Sequence, residues 1–152
     1  MRTVFKSLST RKEVDLIPYI KEYLATHKDV KLYIGCDSQN IKRYTSYATV
    51  IVLHNVGKGA HVLYSQERIP RVTDRFTRLW REVESSIETA EFLRTNEIQK
   101  PSFIDLDLNP DPKYKSNQVL RAALGYVESM GYIPRCKPEA MSASHIADVL
   151  CK

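Results

Sequence analysis

The chain has 152 residues, of which 43% are hydrophobic, and this is enough for one globular domain, residues 1–152, to bury a core without disulfide bonds. Its net charge of +5 is a mild basic excess that is compatible with a polyanionic partner. The lack of a long apolar run, of a signal-peptide core and of CxxC spacing among three cysteines argues against membrane, secreted and zinc-bound classes, so we expect a cytoplasmic protein with no membrane partner.

The first predicted element is a helix in residues 1–29, ahead of the strands. Ser9 or Thr10 can cap it, and Glu13 lies three residues after Thr10, where a capping box places its acidic partner. Pro18 lies inside the apolar pattern that follows, so this pattern predicts either a kink or a late helix start.

Three strands are predicted next, in residues 31–36, 46–54 and 60–69. The second is rich in β-branched residues, and a short turn with the sequence NVGKG joins it to the third. Strands that follow one another this closely are typical of an antiparallel meander.

Helices and strands then alternate to the end of the chain. The long helix predicted at 74–95 carries apolar residues at spacings of four, three, four and three, which indicate a buried stripe of Phe76, Trp80, Val83, Ile87 and Ala90. A strand at 102–108, a helix at 116–130, a short strand at 132–137 and a last helix at 142–151 follow. This order predicts an α/β fold, in which helices flank a mixed five-stranded sheet and an extra helix precedes it.

Acidic side chains stand at or near the ends of two predicted strands. Asp37 ends the first strand, and Ser38 and Gln39 follow it. An acid that enters a turn would explain Asp37 when it is considered alone. Asp105 and Asp107 alternate with apolar residues and therefore share one strand face, either as an exposed polar face or as a pair that a cation holds together.

Two predicted helices carry further candidate acids. Asp148 and His145 lie three residues apart on the last helix, which is also the pattern of an ordinary solvated face. On the long helix Glu84 flanks the predicted buried stripe, whereas Glu82 and Glu88 lie further round, so Glu84 is the candidate there and a plain surface glutamate is the alternative. Three or four converging carboxylates would bind two Mg²⁺ or Mn²⁺ ions and support phosphodiester cleavage.

Basic residues accompany these acids in the sequence. Arginines recur every three or four residues at Arg68, Arg71, Arg75 and Arg78. They are either a row of contacts for backbone phosphates or an ordinary solvated helix face. A loop with basic and aromatic residues follows the paired aspartates, and it suits either a nucleic-acid backbone or a polar helix start. The candidate substrate contacts are Ser38, Gln39, Lys113, Lys115, Lys137 and His145.

Three motifs stand in a fixed order along the chain: IGCDSQ at 34–39, IDLDLNPDPKYKSN at 104–117 and KPEAMSASHIADVLCK at 137–152. Together they resemble the ribonuclease H-like superfamily, and within it the small YkuK-type bacterial proteins. The resemblance implies a ribonuclease H-like fold with a metal-dependent nuclease site. It implies that Asp37, Asp107 and Asp148 are the acids of the first strand, the fourth strand and the last helix.

The predicted function is metal-dependent hydrolysis of DNA or RNA at a two-metal carboxylate site, with Asp105 or Glu84 as the fourth acid. The alternative is a nucleic-acid-binding or assembly module that keeps the fold without efficient catalysis, because the short chain has little room for a substrate-specific subdomain. The sequence leaves open the strandedness of the nucleic acid and whether the protein is a homo-oligomer.

Overall fold

The computed structural model describes residues 3–108, 111, 113 and 117–136. These residues form one mixed sheet and three helices. In chain order the elements are β1 (Phe5–Ser7), β2 (Glu13–Val14), α1 (Leu16–Thr26), β3 (Val30–Ile41), β4 (Tyr44–Asn55), β5 (Gly59–Pro70), α2 (Arg75–Thr95), β6 (Phe103–Asp105), α3 (Asn117–Ser129) and β7 (Pro134–Arg135).

The strands lie in the order β2-β1-β5-β4-β3-β6-β7. β3, β4 and β5 are antiparallel neighbours of 12 residues each, which confirms the predicted meander. β6 pairs with β3 and β7 pairs with β6, both in parallel, so α2 and α3 are the crossover helices between them. The predicted α/β fold with a mixed sheet is therefore confirmed, although β6 and β7 are shorter than predicted. The last predicted helix lies outside the described residues.

The N-terminal segment differs from its prediction. β1 and β2 pair with each other, and β1 also pairs with β5, so two short strands extend the predicted five-stranded sheet to seven. The helix begins only at Leu16, after Asp15, which places Pro18 in the first turn, where its missing N–H breaks no helical hydrogen bond. The late start is confirmed, and the Thr10 cap with Glu13 is wrong because Glu13 belongs to β2.

All three helices pack on one face of the sheet. The larger core joins Ile20 of α1, Ile87 of α2 and Val127 of α3 to Ile34 and Ile51 of the central strands. α2 is the longest of these helices, and no helix among the described residues is long and apolar enough to cross a membrane. Among the strands, α2 packs mainly on β3, and this packing determines which of its side chains reach the sheet.

The buried face of α2 is rotated from the predicted stripe. Val83, Ile87 and Ala90 are buried as predicted, but Phe76 is 46% exposed and Trp80 is half-buried. These two rings stack on each other with centroids 6.1 Å apart, and Trp80 also meets the Tyr126 ring of α3, so the aromatic residues lie beside the core. The buried face is instead built from Leu79, Glu82, Val83, Ser86, Ile87, Thr89, Ala90 and Leu93.

The two faces of β3 have different neighbours. Leu32 and Ile34 lie in the larger core beneath the helices, whereas Tyr33 lies in a smaller core on the opposite face with residues of β4 and β5. Because side chains alternate along a strand, Ser38 continues the helix face and Asp37 continues the Tyr33 face. The end of β3 therefore supplies polar groups to both sides of the sheet.

Candidate carboxylate site

The site begins where two parallel strands end side by side. In the register of β3 and β6, Gly35 is opposite Asp105, and both strands run in the same direction. Asp37 lies two residues beyond this pair on β3, and Asp107 lies two residues beyond it after the end of β6. Since parallel strands present their carboxyl ends at the same edge, the register brings Asp37 and Asp107 to one end of the sheet.

A third carboxylate reaches this place from α2. Glu82 is only 5% exposed, and its carboxylate accepts a hydrogen bond from the Ser38 hydroxyl of β3. Burial raises the pKa of Glu82 well above 4.5, and the negative charges of Asp37 and Asp107 raise it further. The hydrogen bond from Ser38 and the charge of Arg78 act in the opposite direction. Glu82, Asp37 and Asp107 thus form one electrostatically coupled group.

Arg78 connects this group to the start of α2. Its Nη1 donates to the Ser38 hydroxyl over 2.9 Å and to the Ser38 carbonyl oxygen over 3.3 Å. The same nitrogen lies 4.0 Å from a Glu82 oxygen, one helical turn away. Ser38 therefore receives a hydrogen bond from the arginine while it donates one to the glutamate, and this fixes the orientation of the Glu82 carboxylate.

Glu84, the glutamate chosen from the sequence, lies elsewhere. It is exposed on the outer side of α2, where it lines a groove with Phe76, Trp80 and Glu88. The choice of Glu84 depended on a helical wheel centred on Phe76 and Trp80, and the actual buried face is rotated toward Leu79 and Ser86. The structure therefore brings Glu82, not Glu84, to Asp37 and Asp107.

Asp105 has a different environment from Asp107. Asp105 is 1% exposed, and Arg135 of β7 donates to both of its oxygens, over 2.8 Å from Nε and 2.9 Å from Nη2. The guanidinium carbon of Arg135 lies 4.8 Å and 4.6 Å from the ring centroids of Tyr33 and Phe103. β6 ends at Asp105, but Ile104, Leu106 and Leu108 all lie in the larger core, so the predicted alternation of acidic and apolar residues continues to Asp107. Asp105 is thus held by a bidentate ion pair beneath the site.

The other described candidates occupy separate positions. Ser38 bonds to Glu82 and Arg78, as described above. Gln39 follows on the Asp37 face of β3, and its Oε1 is buried without a hydrogen-bond partner among the described residues. Lys113 is exposed, with its ammonium 3.7 Å from the Asp111 carboxylate. Asp148, Lys115, Lys137 and His145 lie outside the described residues.

The donor atoms of this group suit a hard divalent cation. Asp37, Glu82 and Asp107 offer only carboxylate oxygens, and a divalent ion between them would offset the repulsion that raises the pKa of Glu82. Among residues 3–108, 111, 113 and 117–136, no three His, Cys, Asp or Glu side chains already enclose a metal position. The described acids therefore fit such an ion by their chemistry and supply an incomplete set of ligands.

Sequence reasoning missed Glu82, Arg78 and Arg135 as parts of the site. Glu82 and Arg78 could have been found together, because they lie four residues apart on the face that also carries Leu79 and Val83. No sequence signal identifies Arg135 as the partner of Asp105, since their pairing depends on the parallel register of β6 and β7.

Comparison with known proteins gives a matching family model and a similar solved structure. A family model described as ribonuclease H-like matches residues 15–152. No curated protein is significantly similar in sequence. The chain is also similar to the N-terminal RNase H domain of a Mycobacterium tuberculosis protein, solved as a fusion with maltose-binding protein. Those two chains are 14% identical with a TM-score of 0.43, and the similarity covers 81% of this chain and 94% of that one.

Proposed function

Because this chain belongs to the ribonuclease H-like family, we propose that it is a metal-dependent nuclease that hydrolyses phosphodiester bonds of DNA or RNA. The observation that supports this most directly is the buried Glu82 carboxylate, whose pKa is raised by burial and by the charges of Asp37 and Asp107. An ionised acid that is buried beside two others lowers the stability of the fold, and a bound cation would offset this loss.

In this proposal Asp37, Glu82 and Asp107 would hold Mg²⁺ or Mn²⁺, and two ions are expected. The predicted last-helix acid Asp148 would be a further ligand. The ions would supply charge neutralisation at the scissile phosphate and lower the pKa of water at neutral pH.

The protein's own residues would orient and position these groups. Ser38 holds one oxygen of Glu82, so the carboxylate keeps a fixed orientation at the end of β3. Arg78 holds Ser38 from the side of α2, and its positive charge limits the repulsion among the three acids. Gln39 lies on the same strand face as Asp37 and is the proposed substrate contact there, through the part of its side chain that remains accessible.

Cleavage of labelled DNA, RNA, hybrid and branched substrates with Mg²⁺ or Mn²⁺ tests the proposal. We expect Asp37→Asn and Glu82→Gln to lower the rate by more than the 10- to 100-fold typical of residues that only support a metal ligand. Glu84→Gln, an exposed change on the same helix, is the matched control and should cleave like the unchanged protein. Equal cleavage by the Asp37→Asn variant and the control would contradict the assignment.

A non-catalytic nucleic-acid-binding module is the second candidate. It is favoured by the incomplete ligand set of the described residues, in which no three acids enclose a metal position. Calorimetric titration with Mn²⁺ separates the two candidates, since the module predicts no binding at millimolar metal. Within the family, the YkuK-type assignment is part of the proposal and depends on the three sequence motifs.

A further inference from the structure

Five exposed basic residues gather at the end of the meander, beyond Asp37. The β3–β4 turn meets the β5–α2 connection there, because the Arg71 backbone N–H donates to the Arg43 carbonyl over 3.0 Å and its Nη1 donates to the Lys42 carbonyl over 2.8 Å. We call this surface the basic tip. It consists of Lys42, Arg43, Arg68, Arg71 and Arg75.

A closed set of hydrogen bonds holds the basic tip in place. The Thr45 hydroxyl donates to Asn40 Oδ1 over 2.5 Å and accepts from the Val72 N–H over 2.9 Å. Asn40 Nδ2 completes the ring by donating to the Val72 carbonyl over 3.2 Å. The turn and the connection are thus fixed to each other before any ligand arrives, which lowers the entropy cost of binding.

Arg68 of the basic tip shares a strand face with Asp37. Gln39 is opposite Ser46 on β4, and Ser46 is opposite Arg68 on β5. Since strands lie about 4.8 Å apart and rise about 3.3 Å per residue, Arg68 lies about 12 Å from Asp37 across the sheet. Its guanidinium carbon is 5.1 Å from the ring centroid of Tyr44, on the same face. A ligand that lies on this face can reach both places.

The acidic residues nearby are turned to other partners. Asp74 caps α2, where it accepts hydrogen bonds from the backbone and the hydroxyl of Thr77. Glu67 projects toward α2 and pairs with Arg81 over 3.3 Å. The basic tip therefore presents a local excess of positive charge, although the chain as a whole is only mildly basic.

We propose that the basic tip binds backbone phosphates of a nucleic-acid duplex, about four to five base pairs from the phosphate at the carboxylate site. Along β3 the distance from Asp37 to Ile41 is about 13 Å, and Lys42 lies just beyond it. A duplex rises about 3.4 Å per base pair, so this distance corresponds to that number of steps. A rigid platform suits a rigid duplex backbone better than a flexible single strand. The proposal rests on the proposed function for the position of the cleaved phosphate.

Salt-dependent binding provides the first test. Fluorescence anisotropy with a labelled duplex of about two helical turns would be measured in EDTA between about 50 and 200 mM salt. We expect Lys42→Gln/Arg43→Gln/Arg68→Gln to bind at least about 10-fold more weakly at low salt, with a log–log salt slope shallower by about 2 to 3.

A matched control removes three exposed lysines at the opposite end of the same strands, as Lys28→Gln/Lys31→Gln/Lys58→Gln. These lysines are about 35 Å from the basic tip, several screening lengths away. Equal weakening in both triple variants would overturn the proposal, because it would show only a general charge effect. Equal losses on duplex and single strand would refute the duplex preference.

Shortening the duplex locates the contact. A series of duplexes is shortened from one end, so that this end comes progressively closer to the scissile phosphate. The unchanged protein and the basic-tip variant should bind with equal affinity once fewer than about four to five base pairs remain between that end and the scissile phosphate. Shortening the duplex from its other end should show no such threshold. If the difference in affinity persists however short either end is made, the proposed distance is contradicted. Because binding in EDTA needs no cleavage, failure of the proposed nuclease activity would leave the binding test intact.

Discussion

Substitution of Glu82 by glutamine should stabilise the metal-free protein at neutral pH. The carboxylate is 5% exposed and accepts a hydrogen bond from Ser38, and burial together with the charges of Asp37 and Asp107 raises its pKa. Glutamine keeps the shape and the acceptor oxygen but cannot ionise. The substitution therefore removes the cost of a buried negative charge and leaves the packing of α2 unchanged.

The sign of the pH dependence follows from the raised pKa. A folded-state pKa above the unfolded value means that the native protein binds the proton more tightly, so this group's contribution to stability is full below pH 4.5 and is lost as pH rises through the folded-state pKa. One proton corresponds to at most about 1.4 kcal/mol per pH unit. Between pH 5 and 7 the advantage of Glu82→Gln should therefore grow with pH by at most about 3 kcal/mol, and it should level off once native Glu82 has lost its proton.

Urea denaturation in EDTA at a series of pH values between 5 and 8 measures this difference. Glu84→Gln is the control, since that exposed residue should change the free energy of unfolding by less than about 0.5 kcal/mol at every pH. Added Mn²⁺ should reverse the order, because it stabilises the protein that keeps Glu82. A difference between Glu82→Gln and the unchanged protein that is constant across this pH range would refute the reasoning.

Two further substitutions test the parts that support the site. Arg135→Met removes the guanidinium from the buried Asp105 and should cost about 3 to 5 kcal/mol in urea denaturation. The double variant with Asp105→Leu should recover most of that loss, and no recovery would contradict an ion-pair explanation. Asn40→Ala opens the hydrogen-bond ring with Thr45 and Val72, so it should cost about 1 kcal/mol and speed amide exchange at the β3–β4 turn, while exchange at the β4–β5 turn stays unchanged.

Much of the fold could be predicted because its signals are local. The meander follows from β-branched runs joined by short turns, and the crossover helices follow from regular apolar spacing. The short strands β1 and β2 could not be predicted, since three and two residues carry no periodic pattern and depend on pairing with β5.

The acids near the strand ends could be identified from the sequence because each of them follows or interrupts an apolar run that predicts a strand. Asp37 and Asp107 were placed by that signal, and the structure puts both beside Glu82. The helical wheel favoured Glu84 because large aromatic residues dominate it, whereas in the structure Phe76 stacks on Trp80, and Trp80 meets Tyr126, at the margin of the core. Which side of a helix faces a sheet depends on tertiary packing that the wheel alone does not contain.

The lengths of the outermost strands bear on self-association. Within the described residues both edges of the sheet, β2 and β7, are two residues long, whereas the three strands of the meander have 12 residues each. A long exposed edge offers a row of unpaired backbone groups to which another chain can add a strand. β1, itself edged by β2, covers Leu63 and Tyr64 of β5 by pairing with them. Residues 5–14 therefore cover the edge of β5, and their loss would expose this long strand to pairing with another chain and to aggregation.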